Sequence, residues 1–221
     1  ALMMRLPGWM PGVVLLAIFG SHPAWGQELR FLDVKQGGDF LATPDEYTRR
    51  MSDFDLRVMI RTTQKKSMQD YLALARSAVL PWTGEERRRI NAAYDSIRPE
   101  LKELSLPLPK EVLLIKTSGA EEWDAAYTRG AAIILPVADL SADDRGLRRL
   151  VAHELFHVLA RAYPRMTDRI YPAIGFQSCG ALVLPPEVAA RVLNNPDTPR
   201  NDHCIELTSA TGRVTGMPAL L

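Results

Sequence analysis

His153, Glu154 and His157 have the residue types and spacing to do chemistry, reading H-E-x-x-H within His153-Glu154-Leu155-Phe156-His157. On a helix, residues four apart stand about 40° from one another around the axis, so both imidazoles reach one metal ion while the intervening carboxylate leans over the same face. A neutral imidazole nitrogen is a good ligand for Zn²⁺. A catalytic zinc site holds three protein ligands plus a water whose pKa the metal lowers to roughly 7. Glu154 is then the base that takes the proton of that water, and the chemistry is hydrolysis. Histidine occurs four times in the 221 residues. At that abundance a chance match is expected in well under about one chain in a hundred.

The elements that must position these residues are written around them. Ser141 with Asp144 reads as a capping box, and Leu147, Leu150, Val151, Leu155, Val158 and Leu159 form a broad apolar face. The pattern predicts a helix over about 142–162, ended by Pro164, with Leu155 and Phe156 in the core. Before it, Gly130-Ala131-Ala132-Ile133-Ile134-Leu135-Pro136 is a short apolar run bounded by Gly and Pro, as expected of a strand.

Strand, short loop and HExxH helix together resemble the zincin superfamily of metallopeptidases over about 127–162. The resemblance implies zinc as cofactor, a peptide or protein substrate, and an extended substrate lying along the strand before the helix. The longer H-E-x-x-H-x-x-G-x-x-H form is absent, because Ala160 and Tyr163 occupy its later positions. The resemblance is therefore gluzincin-like and asks for a downstream Glu as third ligand. Glu187, in Pro185-Pro186-Glu187 at the start of a short helical run, is the first candidate. His203 in a loop-like stretch is an alternative, with Glu206 and Asp168 behind it. An acidic residue in a first helical turn is also ordinary helix-dipole chemistry. Tyr171, in a Tyr-Pro turn, is the candidate donor to the oxyanion. The segments 171–176 and 195–199 are similar to a group of bacterial secreted zincin-like proteins. That likeness implies a further helix carrying the ligating Glu beyond Leu221, so that the catalytic core would be incomplete at its C-terminal end.

Composition sets the remaining bounds. With 47% hydrophobic and 24% charged residues the chain reads as globular, long enough for one core. Met4-Arg5, the apolar run Val13–Phe19 and Ala24-Trp25-Gly26 read as a secretory signal peptide over 1–26, too short in its apolar part to span a bilayer. The expected location is secreted or periplasmic, with no stable membrane insertion after cleavage. Removal of the leader takes away Arg5 and no acid, leaving 26 basic against 26 acidic side chains. Nothing favours nucleic acid, since Arg87-Arg88-Arg89 shares its helix with Glu85 and Glu86. In an oxidising compartment Cys179 and Cys204 are expected to pair, with thiolate ligation of zinc as the alternative.

Helices are expected from Thr43-Pro44-Asp45-Glu46 to about Arg61, over 68–79, and from the Thr83/Glu86 capping box to about Leu104. Leu106-Pro107-Leu108-Pro109 then reads as a stiff connector, and Glu111–Thr117 as a strand pairing with 130–135. The expected layout is α+β: a helical N-terminal region, 27–109, packed on a small mixed sheet, and a zincin-like core, 110–221, with the HExxH helix against that sheet. The expected function is a zinc metallopeptidase with Glu154 as general base. The alternatives are a secreted zinc-binding or structural module needing no Glu154 chemistry, and a helical interaction protein that binds no metal.

Overall fold

The apolar runs Glu111–Thr117 (β3) and Ala132–Pro136 (β5) pair in parallel, with Leu113 opposite Ala132 and Thr117 opposite Pro136. They form the centre of the fold. In this computed structural model, which describes residues 28–103, 109–180, 184–200, 202–209 and 212–216, the sheet order is β1-β3-β5-β4. Glu28–Phe31 (β1) lies parallel to β3, and Tyr127–Arg129 (β4) lies antiparallel to β5 at the other edge. The two-residue strand Val79–Leu80 (β2) pairs antiparallel with the far end of β3. The fold is thus α+β with a small mixed sheet, two of whose strands come from the N-terminal region. The proposed leader and most of the Leu106–Pro109 connector lie outside the described residues.

The sheet is covered on both faces, which explains why its central strands read as continuous apolar runs. On one face Val112, Leu114, Ile133 and Leu135 pack with Ile90, Ala93, Tyr94 and Ile97 of Gly84–Glu103 (α5) and with Val151, Leu155 and Val158 of Asp144–Ala162 (α6). On the other face Ile115, Ala132 and Ile134 meet four shorter helices, Val34–Leu41 (α1), Glu46–Arg50 (α2), Asp53–Met59 (α3) and Met68–Ala78 (α4). The alternation of β3 and β5 between these two clusters follows the two-residue period of a strand. Gly37 lets α1 lie close on the sheet: a Cβ there would stand 3.0 Å from Val79 Cγ1 and 3.1 Å from Ile115 Cγ2.

Three local expectations are corrected. The single helix expected from Thr43 to Arg61 is two helices, because Ser52 accepts a hydrogen bond from Asp55 N and restarts the helix in its own capping box. The cap of α2 is Asp45, not Thr43. The cap of α6 is Asp143, whose carboxylate accepts from Gly146 N at 2.7 Å, while Ser141 sits in a preceding 3₁₀ turn with its hydroxyl on Ala138 O.

The C-terminal part is a separate, smaller layer. Pro164–Ile170 (α7) follows α6, and Phe176–Ser178 (β6), His203–Ser209 (β7) and Gly212–Gly216 (β8) form an antiparallel sheet in that order. Pro186–Ala189 (α8) is a single turn. Cys179 and Cys204 are disulfide-bonded, with Cα atoms 5.8 Å apart, as the export reading expects, and thiolate ligation by either is thereby excluded.

Candidate metal centre

Along α6 the apolar stripe Val151, Leu155 and Val158 faces the sheet, so His153 and His157, about 200° round the helix from Val151 and Leu155, turn towards the outside. Their Nε2 atoms converge to 3.1 Å, with ring centroids 4.7 Å apart and planes at 81°. Two imidazole nitrogens bound to one tetrahedral zinc at 2.0–2.1 Å stand about 3.3 Å apart. The pair is therefore within a few tenths of an ångström of ligating geometry. Burial favours the neutral form of His157; Asp197 opposes that shift, whereas His153 and Arg161 add to it. Neutral imidazole is the form that binds a metal.

Glu154 is 2% exposed, and its Oε2 is buried without a hydrogen-bond partner. Burial, with the nearby carboxylates of Asp197 and Asp139, pushes its pKa up to about 8. A buried carboxyl oxygen with no partner is costly unless something satisfies it, and here it sits on the same helix turn as the two converging imidazoles. His157 Nδ1 is also buried and unpartnered, so the ring lacks the carboxylate or carbonyl that usually orients a ligating histidine.

The third-ligand candidates lie apart from this pair. Glu187 is exposed on α8; His203 stands on β7 with Nδ1 2.8 Å from Asp202 Oδ1; Asp168 lies on α7; Glu206 is on the exposed side of β7, facing Arg213. Among the described residues no group of three His, Cys, Asp or Glu side chains is gathered closely enough to hold a metal ion. A catalytic zinc requires three protein ligands, and the two histidines are the pair brought together here.

What sequence reasoning missed is the strap across the end of this helix. Arg161, four residues beyond His157, donates from Nη1 to Gly130 O at 2.8 Å and from Nη2 to Thr128 O, Thr128 Oγ1 and Pro196 O at 3.3, 3.0 and 3.0 Å. Asp197 Oδ1 in turn accepts from Thr128 N at 2.8 Å and Thr128 Oγ1 at 2.6 Å. Asn194 fastens the same segment to the helical layer through Asp55 and Arg50 O. The spacing of Arg161 on the exposed side of α6 was the only signal, and nothing local in the sequence names its partners.

The strand before α6 does not offer an edge to a substrate, contrary to the expectation from resemblance. β5 is paired on both sides and buried throughout. The open edge belongs to β4, and there the Thr128 amide and carbonyl are already taken by Asp197 and Arg161. Phe156 also departs from expectation: only partly buried, it faces a cavity of about 590 Å³ next to the histidines, with Ala160, Arg161, Tyr171, Leu193 and His203 among its walls. Tyr171 packs edge-on against His203 at 4.6 Å, and burial raises its hydroxyl pKa, with Asp202 adding to the shift. Comparison with protein-family models, curated proteins and solved structures gives no match to this chain.

Proposed function

We propose that the chain is an exported, zinc-dependent peptidase of gluzincin-like type, acting on a peptide or protein substrate with Glu154 as general base. The observation that carries the reading is the convergence of His153 and His157 Nε2 to 3.1 Å beside a buried, orphaned Glu154 carboxyl. His153 and His157 would hold the zinc, with Glu187 or His203 as the candidate third ligand. Bound zinc would supply a Lewis acid and lower the pKa of a water. Glu154 takes the proton of the attacking water and returns it to the leaving nitrogen. Tyr171 is the chain's candidate donor to the developing oxyanion. The disulfide fits an oxidising location, secreted or periplasmic, and among the described residues no helix is long and apolar enough to cross a membrane.

Zinc per chain, measured by elemental mass spectrometry after exhaustive dialysis, tests the reading together with turnover of a peptide mixture. About one zinc, lost in His157→Ala, with cleavage abolished in Glu154→Gln, is the expected result. Zinc without any cleavage would favour a non-catalytic zinc module. No zinc bound to the purified chain would overturn the reading.

A further inference from the structure

The cavity beside His157 has a chemical character of its own. Phe156, Tyr171, Ile174, Phe176 and Leu193 give it apolar and aromatic walls, and at about 590 Å³ it has the size of a small-molecule site. Its polar groups are unevenly engaged. Of the two lining arginines, Arg161 spends its guanidinium on the carbonyls of Gly130, Thr128 and Pro196, and Arg200 is paired with Glu46 at 2.8 Å. Asp168 carries a carboxylate 57% exposed that stands 4.0 Å from His203 Nε2. His203 Nε2 is itself buried without a partner.

The group left open is an acceptor. Asp202 can only accept, so the 2.8 Å contact to His203 Nδ1 puts a ring proton on that nitrogen. Asp168 lines the cavity with its carboxylate half exposed, and a ligand that satisfies it must bring donors and positive charge. Aromatic walls add attraction for a cation and cover the methylenes that carry it.

We propose that this cavity binds the long basic side chain, lysine or arginine, of a substrate residue next to the scissile bond, with the Asp168 carboxylate receiving its terminal nitrogens. The assignment to a substrate residue rests on the peptidase reading above. The cavity's place supports it: Phe156 lines the cavity and its ring centroid lies 6.0 Å from that of His157, so a chain passing the histidines delivers a flanking side chain into it.

The test uses p-aminobenzamidine, a flat aromatic cation whose emission rises in an apolar site, with neutral p-aminobenzamide as control, on the full chain with and without chelator. The expected result is saturable binding of the amidine that survives chelation, at least about tenfold weaker binding of the amide, and a loss of about tenfold or more in Asp168→Asn at unchanged melting temperature. In a peptide mixture read by mass spectrometry, cuts should flank Lys or Arg, and Asp168→Asn should erase that preference without abolishing cleavage. Equal binding of amidine and amide, no saturable binding, amidine binding indifferent to Asp168→Asn, or cleavage without basic preference would each overturn the proposal. Amidine binding that depends on Asp168 in a chain free of zinc would uphold the cation pocket and sink the peptidase reading, which separates the two.

Discussion

Glu154 separates the catalytic reading from every passive one, because a structural zinc site has no use for it. It lies between the two histidines on α6, 2% exposed, with Oε2 lacking any partner. Glutamine has the same shape and can fill the same space, so Glu154→Gln should fold with a melting temperature no lower than that of the parent and should retain zinc. Removing a general base costs typically 10²–10⁴ in rate. Peptide turnover should therefore fall by about that factor while the zinc content stays constant. Turnover that survives the substitution would assign the chemistry to another group. His157→Ala makes the complementary prediction, loss of metal and turnover together. Phe156 belongs to the same scale. Its position between the two histidines marked it for the core, yet a residue one step back from His157 on a helix points some 100° away from it, and here that direction opens on the cavity.

At the scale of elements, what the sequence made legible was what local signals specify. The α6 helix, the 84–103 helix, and strands β3 and β5 carry caps, periodicity or β-branched runs within their own few residues. The Cys179–Cys204 pair was legible from the expected compartment. Elements defined by distant partners were not: β1 is four residues long and owes its existence to β3, eighty positions away, and the strap at 194–198 is held by Asp55, Thr128 and Arg161. Of the candidate site, the pairing of His153 with His157 on one side of α6 was legible from spacing, whereas anything that would complete it depends on long-range folding that no spacing records. The strap makes a prediction of its own. Arg161→Met should leave the carbonyls of Gly130, Thr128 and Pro196 short of a donor and lower stability by about 2–4 kcal/mol, since each orphaned buried group costs about 1–3 kcal/mol. Hydrogen exchange at the Thr128 amide should speed up in the variant; unchanged protection there would mean that Asp197 holds the strap without Arg161. Cys179→Ser should cost roughly 3 kcal/mol in urea unfolding, as expected for a loop closed over a separation of 25 residues.

At the scale of the whole molecule, the layer of short helices is joined to the sheet around one buried acid. Glu122 Oε1 accepts from Tyr47 at 2.7 Å and from Tyr71 at 2.5 Å, which brings α2 and α4 onto the loop between β3 and β4. Burial pushes its pKa up to about 7; the tyrosine hydrogen bonds pull the other way, Glu121 adds to the rise and Arg129 opposes it. Below the ordinary carboxylate pKa of about 4.3 both folded and unfolded chains hold this proton, and the contribution is fully present. Between about 4.3 and 7 the unfolded chain releases the proton while the folded chain keeps it, so stability falls as pH rises, by up to about 1.4 kcal/mol per pH unit. Above about 7 the folded chain is ionised too, and the loss is complete. Glu121, Asp139 and Glu154 are raised in the same direction and His157 is lowered, which acts the other way, so the wild-type slope contains these groups too. The difference between wild type and Glu122→Gln isolates one of them. Urea midpoints taken from pH 4.5 to 8.5 should decline in both proteins, more steeply in the wild type below pH 7, and the two curves should run parallel above about pH 8. Parallel curves over the whole range would mean that Glu122 ionises as an ordinary carboxylate and that the tyrosine pair, not the proton, holds the helical layer to the sheet.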